Sequence, residues 1–339
     1  MTDELIPIEP AVPALADVQH DRQLIDLWLQ TEGRRSERTK KEYLRNVVSF
    51  ADWFYKHGSQ PWVSIWNDTK QVIRAITVQD LVDYALWLEN LKLAPSTRAS
   101  RLAAVKSILR FGHKIGYLKV NVGAVIASPI IENKLAERIL SEQELFSILA
   151  LAEKNLAELE GKGSKEEIAF RDLVLLKMFY ITGGRLDEVV SLHWRNIQWR
   201  SEEDGGQVTF FGKGGKTRAV LIPKGIWEQL MVLHTYVAPK IGKGLVNTDN
   251  LAVFYSQKKN RLSRSQAWRV VRNAAVRAGL SQKVSPHWFR HAHVSHALDN
   301  GAPIHLVGET VGHSSPAVTG RYAHARPSDS SSNYLKLKK

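Results

Sequence analysis

The chain contains no cysteine. Disulfides, thiolate metal sites and cysteine nucleophiles are therefore excluded, and a reducing cytosol fits the composition. No apolar run approaches the roughly 20 residues needed to cross a bilayer. The first stretch, residues 1–17, is acidic and proline-bearing and lacks a basic n-region, so no signal peptide is expected there. Acidic residues are in deficit: 34 Asp and Glu stand against 47 Lys and Arg, a formal net charge of +13. That surplus favours a polyanionic partner, nucleic acid first and an anionic membrane surface second. Internal repeats and long low-complexity segments are also missing. A length of 339 residues makes two domains the expectation.

Residues 1–20 read as a mobile tail. Helical patterning begins at Arg22 and runs to about Gly33. In 34–45 the basic residues Arg34, Arg35, Arg38, Lys40, Lys41 and Arg45 face two glutamates, and Tyr43, Val47, Phe50 and Phe54 form the apolar stripe of an amphipathic helix. Thr77 is a candidate N-cap with Asp80 in the first turn, ahead of an apolar side of Leu81, Val82, Tyr84, Ala85 and Leu88. A helix from Pro95 to about Lys114 turns Leu102, Val105, Ile108 and Leu109 to a core and Arg98, Arg101, Lys106, Arg110 and Lys114 to the other side. One-sided basicity of this kind points to phosphate binding more strongly than net charge does. Residues 21–126 thus read as a small all-helical domain.

Residues 127–140 read as a linker, and Ser141 with Glu144 forms a capping box that opens a second domain over 141–327. Helices are predicted near 142–159, 166–181, 186–195, 224–237, 264–279, 287–299 and 303–311. The period changes at 207–223 to that of a hairpin, with a preceding strand near 197–200. The fold class is therefore mainly α with a small antiparallel β-sheet. Residues 261–291 carry Arg261, Arg264, Arg269, Arg272, Arg277, Lys283 and Arg290 and no acidic residue. Residues 328–339 form a short tail.

Two motifs are rejected. Gly215-Lys216-Thr217 is not a P-loop, because Phe210 stands where the first glycine belongs and the turn joins two strands. The cluster of His287, His291, His293 and His296 includes an i, i+4 pair, but Arg290 sits among them and no carboxylate or cysteine accompanies them. No metal is expected, and hydrogen bonding within helix packing is the better reading. Thr182-Gly-Gly-Arg185-Leu-Asp-Glu188 is the most specific local signal. The glycines break a strongly apolar helix, leaving Arg185 at a helix start where it addresses a phosphate, pairs with Glu188 to fix the turn, or does both.

Together, Thr-Gly-Gly-Arg185-x-x-Glu188, Gly-Lys213-Gly in a hairpin turn, His287-x-x-Arg290-His, Gly-His313 and Tyr322 resemble the tyrosine recombinases, the phage integrase and Xer-type family. The resemblance covers about 142–326. The helical domain is similar to the family's SAM-like core-binding domain in size, helix count and basicity, and the second domain to its α+β catalytic domain. Implied by the resemblance is attack by Tyr322 on a DNA phosphodiester, giving a 3′-phosphotyrosyl bond and a free 5′-hydroxyl. Arg185 and Arg290 would hold the non-bridging oxygens, His287 and His313 would hydrogen-bond the phosphate, Lys213 would protonate the leaving 5′-oxygen, and Glu188 would brace Arg185. Lys216 is the rival in the turn and Tyr334 the rival tyrosine, at a spacing that does not fit.

The physical chemistry agrees. Preorganised Arg and His donors stabilise the charge of a phosphoryl transition state, and two guanidiniums stand in for a metal. Cations around a tyrosine, whose ordinary pKa is about 10, would favour the phenolate. No cofactor, metal or ATP is expected. The implied partners are double-stranded DNA with paired inverted arms and further protomers, a dimer on a site and a tetramer in synapsis, with Arg38, Lys40, Lys41, Arg98, Arg101, Lys106, Arg110, Arg264, Arg269 and Arg272 as DNA contacts and the two domains clamping the duplex. Tyr334, Leu335 and Leu337 would dock on a neighbour. A cytoplasmic, nucleoid-associated enzyme of DNA integration, excision or resolution follows. The competing readings are a non-cleaving DNA-binding protein on the same fold and a type IB topoisomerase.

Overall fold

The computed structural model describes residues 18–32, 37–58, 71–131, 136–212, 217–237, 249–258, 260–313 and 315–322. Lys213, Lys216, Arg34, Arg35, most of the N-terminal tail and the whole segment holding Tyr334, Leu335 and Leu337 lie outside these residues, as does the side chain of Arg38. The chain divides into two compact units, residues 1–133 and 134–339.

Among the described residues, the first unit holds the α-helices α1 (Asp21–Glu32), α2 (Glu37–His57), α3 (Val78–Asn90) and α4 (Pro95–Lys114). The stripe on α2 is buried at Val47, Phe50 and Phe54, while Tyr43 stacks on Trp28 with ring centroids 5.5 Å apart. Phe50 meets Tyr84 of α3 edge-on at 4.9 Å. Thr77 and Asp80 exchange both bonds of a capping box at the start of α3. Val82, expected on the apolar side, is exposed. It follows Leu81 by one residue, so it points about 100° away from the buried Leu81–Tyr84–Leu88 stripe.

Two of the α4 cations have internal partners. Arg98 bonds Glu89 at 2.5 Å, and the Lys106 ammonium donates to the carbonyl of Ile126 at 2.5 Å. Both are thus engaged in holding the unit together, unlike Arg110 and Lys41, which are exposed, and Arg101 and Lys40, which are half-buried.

The second unit comprises α5 (Glu142–Ala157), α6 (Ser164–Thr182), α7 (Leu186–Val190), a sheet of β1 (Ile197–Arg200), β2 (Gly205–Phe211) and β3 (Thr217–Pro223), then α8 (Lys224–Val237), α9 (Arg264–Arg277), α10 (Pro286–Asp299), α11 (Ile304–Val311) and α12 (Pro316–Gly320). Helix α6 is buried on all sides, from Leu173 through Leu176 and at Met178 and Phe179, as expected of a helix apolar all round. The sheet is antiparallel in the order β1-β2-β3, with Val208 opposite Val220 and Phe210 opposite Arg218. Val208, Phe210, Val220 and Ile222 face the core, the period-two burial of a one-sided sheet.

Helix α7 is shorter than the predicted 186–195. After Val190 the chain turns away to pair its backbone with a distant segment, Val253 N donating to Leu192 O at 3.0 Å and Trp194 N to Leu251 O at 3.1 Å. Within the predicted linker, Ala136–Arg138 forms a 3-10 turn and Leu140 is buried in the core of the second unit.

The Ser141 hydroxyl accepts from Glu144 N, and the Glu144 carboxylate accepts from Ser141 N at 2.8 Å. Ser141→Ala is expected to cost about 1 kcal/mol of stability, measured by chemical denaturation.

Candidate active site

Two left-handed glycines shape the site. Gly183 ends α6 with φ of 55° and Gly312 ends α11 with φ of 67°. Such caps turn the chain sharply and leave carbonyls free of the helix. The carbonyl of Gly183 accepts from Arg290 Nη1 at 2.7 Å, and that of Gly312 accepts from Arg185 Nη2 at 2.8 Å. A side chain at Gly183 would put its Cβ 2.7 Å from both His293 and Val311. Each arginine is therefore held by a helix C-terminal carbonyl, the end favourable to cations.

Glu188 ties these parts together. It is almost fully buried and accepts from Arg185 N at 2.8 Å and Arg185 Nη1 at 2.9 Å. Arg218 of β3 grips both of its oxygens, at 2.8 and 2.6 Å, and donates from Nε to Thr310 O at 2.8 Å. The guanidinium also lies over the Phe210 ring at 4.7 Å. Burial opposes ionisation of Glu188, but the hydrogen bonds from Arg218 and from the Arg185 backbone, and the charge of Arg218, override it and hold the carboxyl at about 2. Arg218 was not among the expected site residues, since in the sequence it is one basic residue in a strand; only the register opposite Phe210 sets it beside Glu188. A cleft of about 310 Å³ opens here, lined among others by Arg185, Glu188, Phe210 and Gly212, the residue before Lys213.

Helix α10 presents His287, Arg290, His291 and Val294 on one face by i, i+3, i+4 spacing. Arg290 is buried, and burial together with the nearby charges of Arg185 and Arg218 lowers its pKa to about 10. His287 is exposed at its first turn, where crowding by protein and then Arg290, Arg185 and Arg264 lower its pKa. On the opposite face, His293 Nδ1 donates to Tyr180 O at 2.7 Å, and His296 Nε2 donates to Leu140 O at 2.9 Å. These two are packing histidines, as expected. His291 is not: its Nδ1 lies 2.5 Å from the Tyr322 hydroxyl. The i, i+4 relation to His287 was the available signal, but a fold was needed to bring the tyrosine to it.

Tyr322 is buried, packed with Val294, Val307 and Val311. Its ring stacks against His313 at 6.2 Å. Thr319 of α12 connects the two, its hydroxyl 2.8 Å from His313 Nδ1 and its carbonyl accepting from Tyr322 N at 3.0 Å. Burial, followed by Arg290, Arg185, His291 and Arg218, lowers the His313 pKa to about 4. The expectation that cations would lower the tyrosine's own pKa is corrected. Burial raises it, and Arg290 and Arg321 oppose that rise without overcoming it. In the free protein Tyr322 is a neutral phenol.

Of the α9 arginines, Arg264 is paired with Asp187 of α7 and so stands beside the site. Arg272 donates to Gln282 at 2.5 Å and lies 5.5 Å over Trp268, while Arg269 is exposed in a separate cleft with Arg171 and Arg277. Among the described residues no group of His, Asp and Glu is arranged to hold a metal ion.

The profile of the phage integrase family matches residues 138–329. Among curated relatives, the tyrosine recombinase XerD of Chlorobaculum tepidum is 28% identical over 298 residues, 88% of this chain and 89% of that protein. XerD of Mycobacterium leprae is 31% identical over 236 residues, 68% of this chain and 70% of that protein. The fold is similar to that of the Tn1549 transposon integrase in complex with circular intermediate DNA, with a TM-score of 0.65, 15% identity, and coverage of 94% of this chain and 100% of that one. A lambda integrase dimer bound to a core site gives a TM-score of 0.63 at 14% identity, covering 93% and 98%.

Because the Glu188 carboxyl is held near 2 instead of its ordinary 4.5, its stabilising effect is complete above about pH 5 and disappears as pH falls through 2. The pH-dependent part amounts to about 3 kcal/mol. The stability gap between wild type and Glu188→Gln is expected to be widest above pH 5 and to close towards pH 2 in acid denaturation. Arg218→Gln leaves the buried carboxylate short of a partner and should cost about 3 kcal/mol at neutral pH.

Proposed function

The chain belongs to the phage integrase family, the tyrosine recombinases, and from that premise we propose that it recombines duplex DNA at specific sites through a covalent bond between Tyr322 and a 3′-phosphate. As a family member it is a DNA-cleaving and rejoining enzyme. The observation that carries the residue assignment is Tyr322 itself, buried beside Arg290, its ring against His313 and its hydroxyl on His291. A tyrosine with only a packing role would not draw three groups suited to phosphoryl transfer.

Arg185 and Arg290 take the non-bridging oxygens of the scissile phosphate, with His287 and His313 donating to the same group. The positive charge of the two arginines is fixed before DNA arrives, so it stabilises the equatorial charge of the transition state without reorganisation. Lys213 protonates the leaving 5′-oxygen. The phosphotyrosyl bond stores the energy of the broken diester, and a 5′-hydroxyl from a second strand reverses the step, so that neither ATP nor metal is consumed. Lys40, Lys41, Arg101, Arg110 and Arg264 are the strongest candidates for backbone contacts, because such contacts need cations at the surface. Protomers pair on a site with inverted arms and assemble as a tetramer for exchange, in the cytoplasm where the chromosome lies.

Sequencing the DNA trapped covalently on the protein in its host identifies the site. On a nicked duplex of that site, wild type is expected to accumulate the adduct, and Tyr322→Phe to bind with similar affinity and form none. An adduct on Tyr322→Phe would remove the nucleophile assignment. Relaxation of supercoiled plasmid lacking the site would instead favour a type IB topoisomerase.

A further inference from the structure

Tyr322 raises a chemical problem. It is buried, and in the free protein it is a neutral phenol, so attack on phosphorus requires its proton to go somewhere. His287 and His313 are the imidazoles already placed around the phosphate. His287 is an exposed residue at the first turn of α10, and His313 faces the tyrosine ring while its Nδ1 is occupied by Thr319. His291 Nδ1 is in direct contact with the hydroxyl, 2.5 Å away, within the reach a general base needs.

We propose that His291 is the general base of cleavage, accepting the Tyr322 phenol proton on Nδ1 as the phenol oxygen attacks phosphorus. This rests on Tyr322 being the nucleophile. The required tautomer carries its hydrogen on Nε2 and leaves the Nδ1 lone pair facing the hydroxyl. In the forward step the Tyr322 O–H bond breaks and the O–P bond forms. The P–O5′ bond breaks, and the 5′-oxygen takes its proton from Lys213. In rejoining, an incoming 5′-hydroxyl gives its proton to the neutral Lys213 amine, the tyrosine oxygen leaves, and it recovers its proton from the His291 imidazolium. Atoms, protons and charge return to their starting state, as isoenergetic strand exchange demands.

The surroundings suit that role. The charged or titratable groups around His291 are His287 and Arg290 on α10, Arg138 in the turn before α5, His313 after α11, and Arg321 next to the tyrosine. Burial first, then His287, Arg290 and Arg138, bring the imidazole to about 4, so it is neutral and able to accept at physiological pH. A bound phosphodiester brings negative charge to the same face, and more accumulates in the transition state. Both favour the imidazolium. The base therefore strengthens when substrate is in place and at the moment the proton moves. The sequence pattern groups His291 with the packing histidines, and its contact with the hydroxyl is what separates it from His293 and His296.

The test is single-turnover cleavage of a nicked duplex by His291→Asn, which keeps a hydrogen-bonding group near the Nδ1 position but cannot take up the proton, and by His291→Ala. Both are expected to bind DNA as wild type does and to cleave about 100-fold more slowly. With no base, the reaction draws on the small phenolate fraction, so the variant rate should rise about tenfold per pH unit between pH 6.5 and 9, more steeply than wild type. A 5′-bridging phosphorothiolate, whose sulfur leaves without a proton, should rescue Lys213→Ala but not the His291 variants. Wild-type rate in His291→Asn would mean that a hydrogen bond suffices and would overturn the proposal, as would rescue by the phosphorothiolate or a pH profile parallel to that of wild type. Adduct formation by Tyr322→Phe would instead defeat the nucleophile assignment, which separates the two failures.

Discussion

The arginine clamp on one side of this site leans on one buried carboxylate. Glu188 receives hydrogen bonds from two arginines and a backbone amide, and those arginines come from different parts of the fold. Arg185 belongs to the break between α6 and α7, and Arg218 to the hairpin. Through Arg218 Nε the same clamp reaches the end of α11, two residues before Gly312, whose carbonyl holds Arg185. The closed loop of contacts leaves Arg185 partly exposed yet fixed in direction. A buried carboxylate is costly unless fully partnered; here its partners also fix the direction of the cation that, in the proposed reaction, meets the phosphate.

The second constraint is the opposition between burial and charge. Burial first, and then repulsion among the arginines that suit a phosphate, lowers the pKa of both Arg290 and His313. This is an unfavourable arrangement in the free protein, and an arriving polyanion relieves it. The tyrosine experiences burial more strongly than it experiences the cations and stays protonated. A nucleophile kept as a phenol until substrate binds is protected from premature reaction, and its proton must leave in the same event that forms the covalent bond.

Much of this was legible in the chain. Cap chemistry is local, so Ser141 and Thr77 marked helix starts where they occur. Period-two alternation and the acidic turn at 202–204 placed all three strands, and i, i+3 spacing placed His287 with Arg290. What escaped was set by pairing across long sequence distances. The end of α7 depends on backbone bonds to 251–253. The importance of Arg218 depends on its register against Phe210. The internal anchoring of Arg98 and Lys106 depends on partners in α3 and after α4, so a basic helix face overstated the number of cations at the surface. The contact of His291 with Tyr322 spans 31 residues and a helical turn between α11 and the tyrosine. The error about the phenolate had a different origin: counting cations near a tyrosine ignores how far it is withdrawn from water.

In the proposed reaction the Arg185 and Arg290 guanidiniums and the buried Tyr322 act together on one phosphate. Digesting the trapped protein–DNA complex and identifying by mass spectrometry the residue that carries the nucleotide tests it most directly. A nucleotide joined through its 3′-phosphate to Tyr322 is expected. Linkage through a 5′-phosphate, or to another residue such as Tyr334, would contradict it.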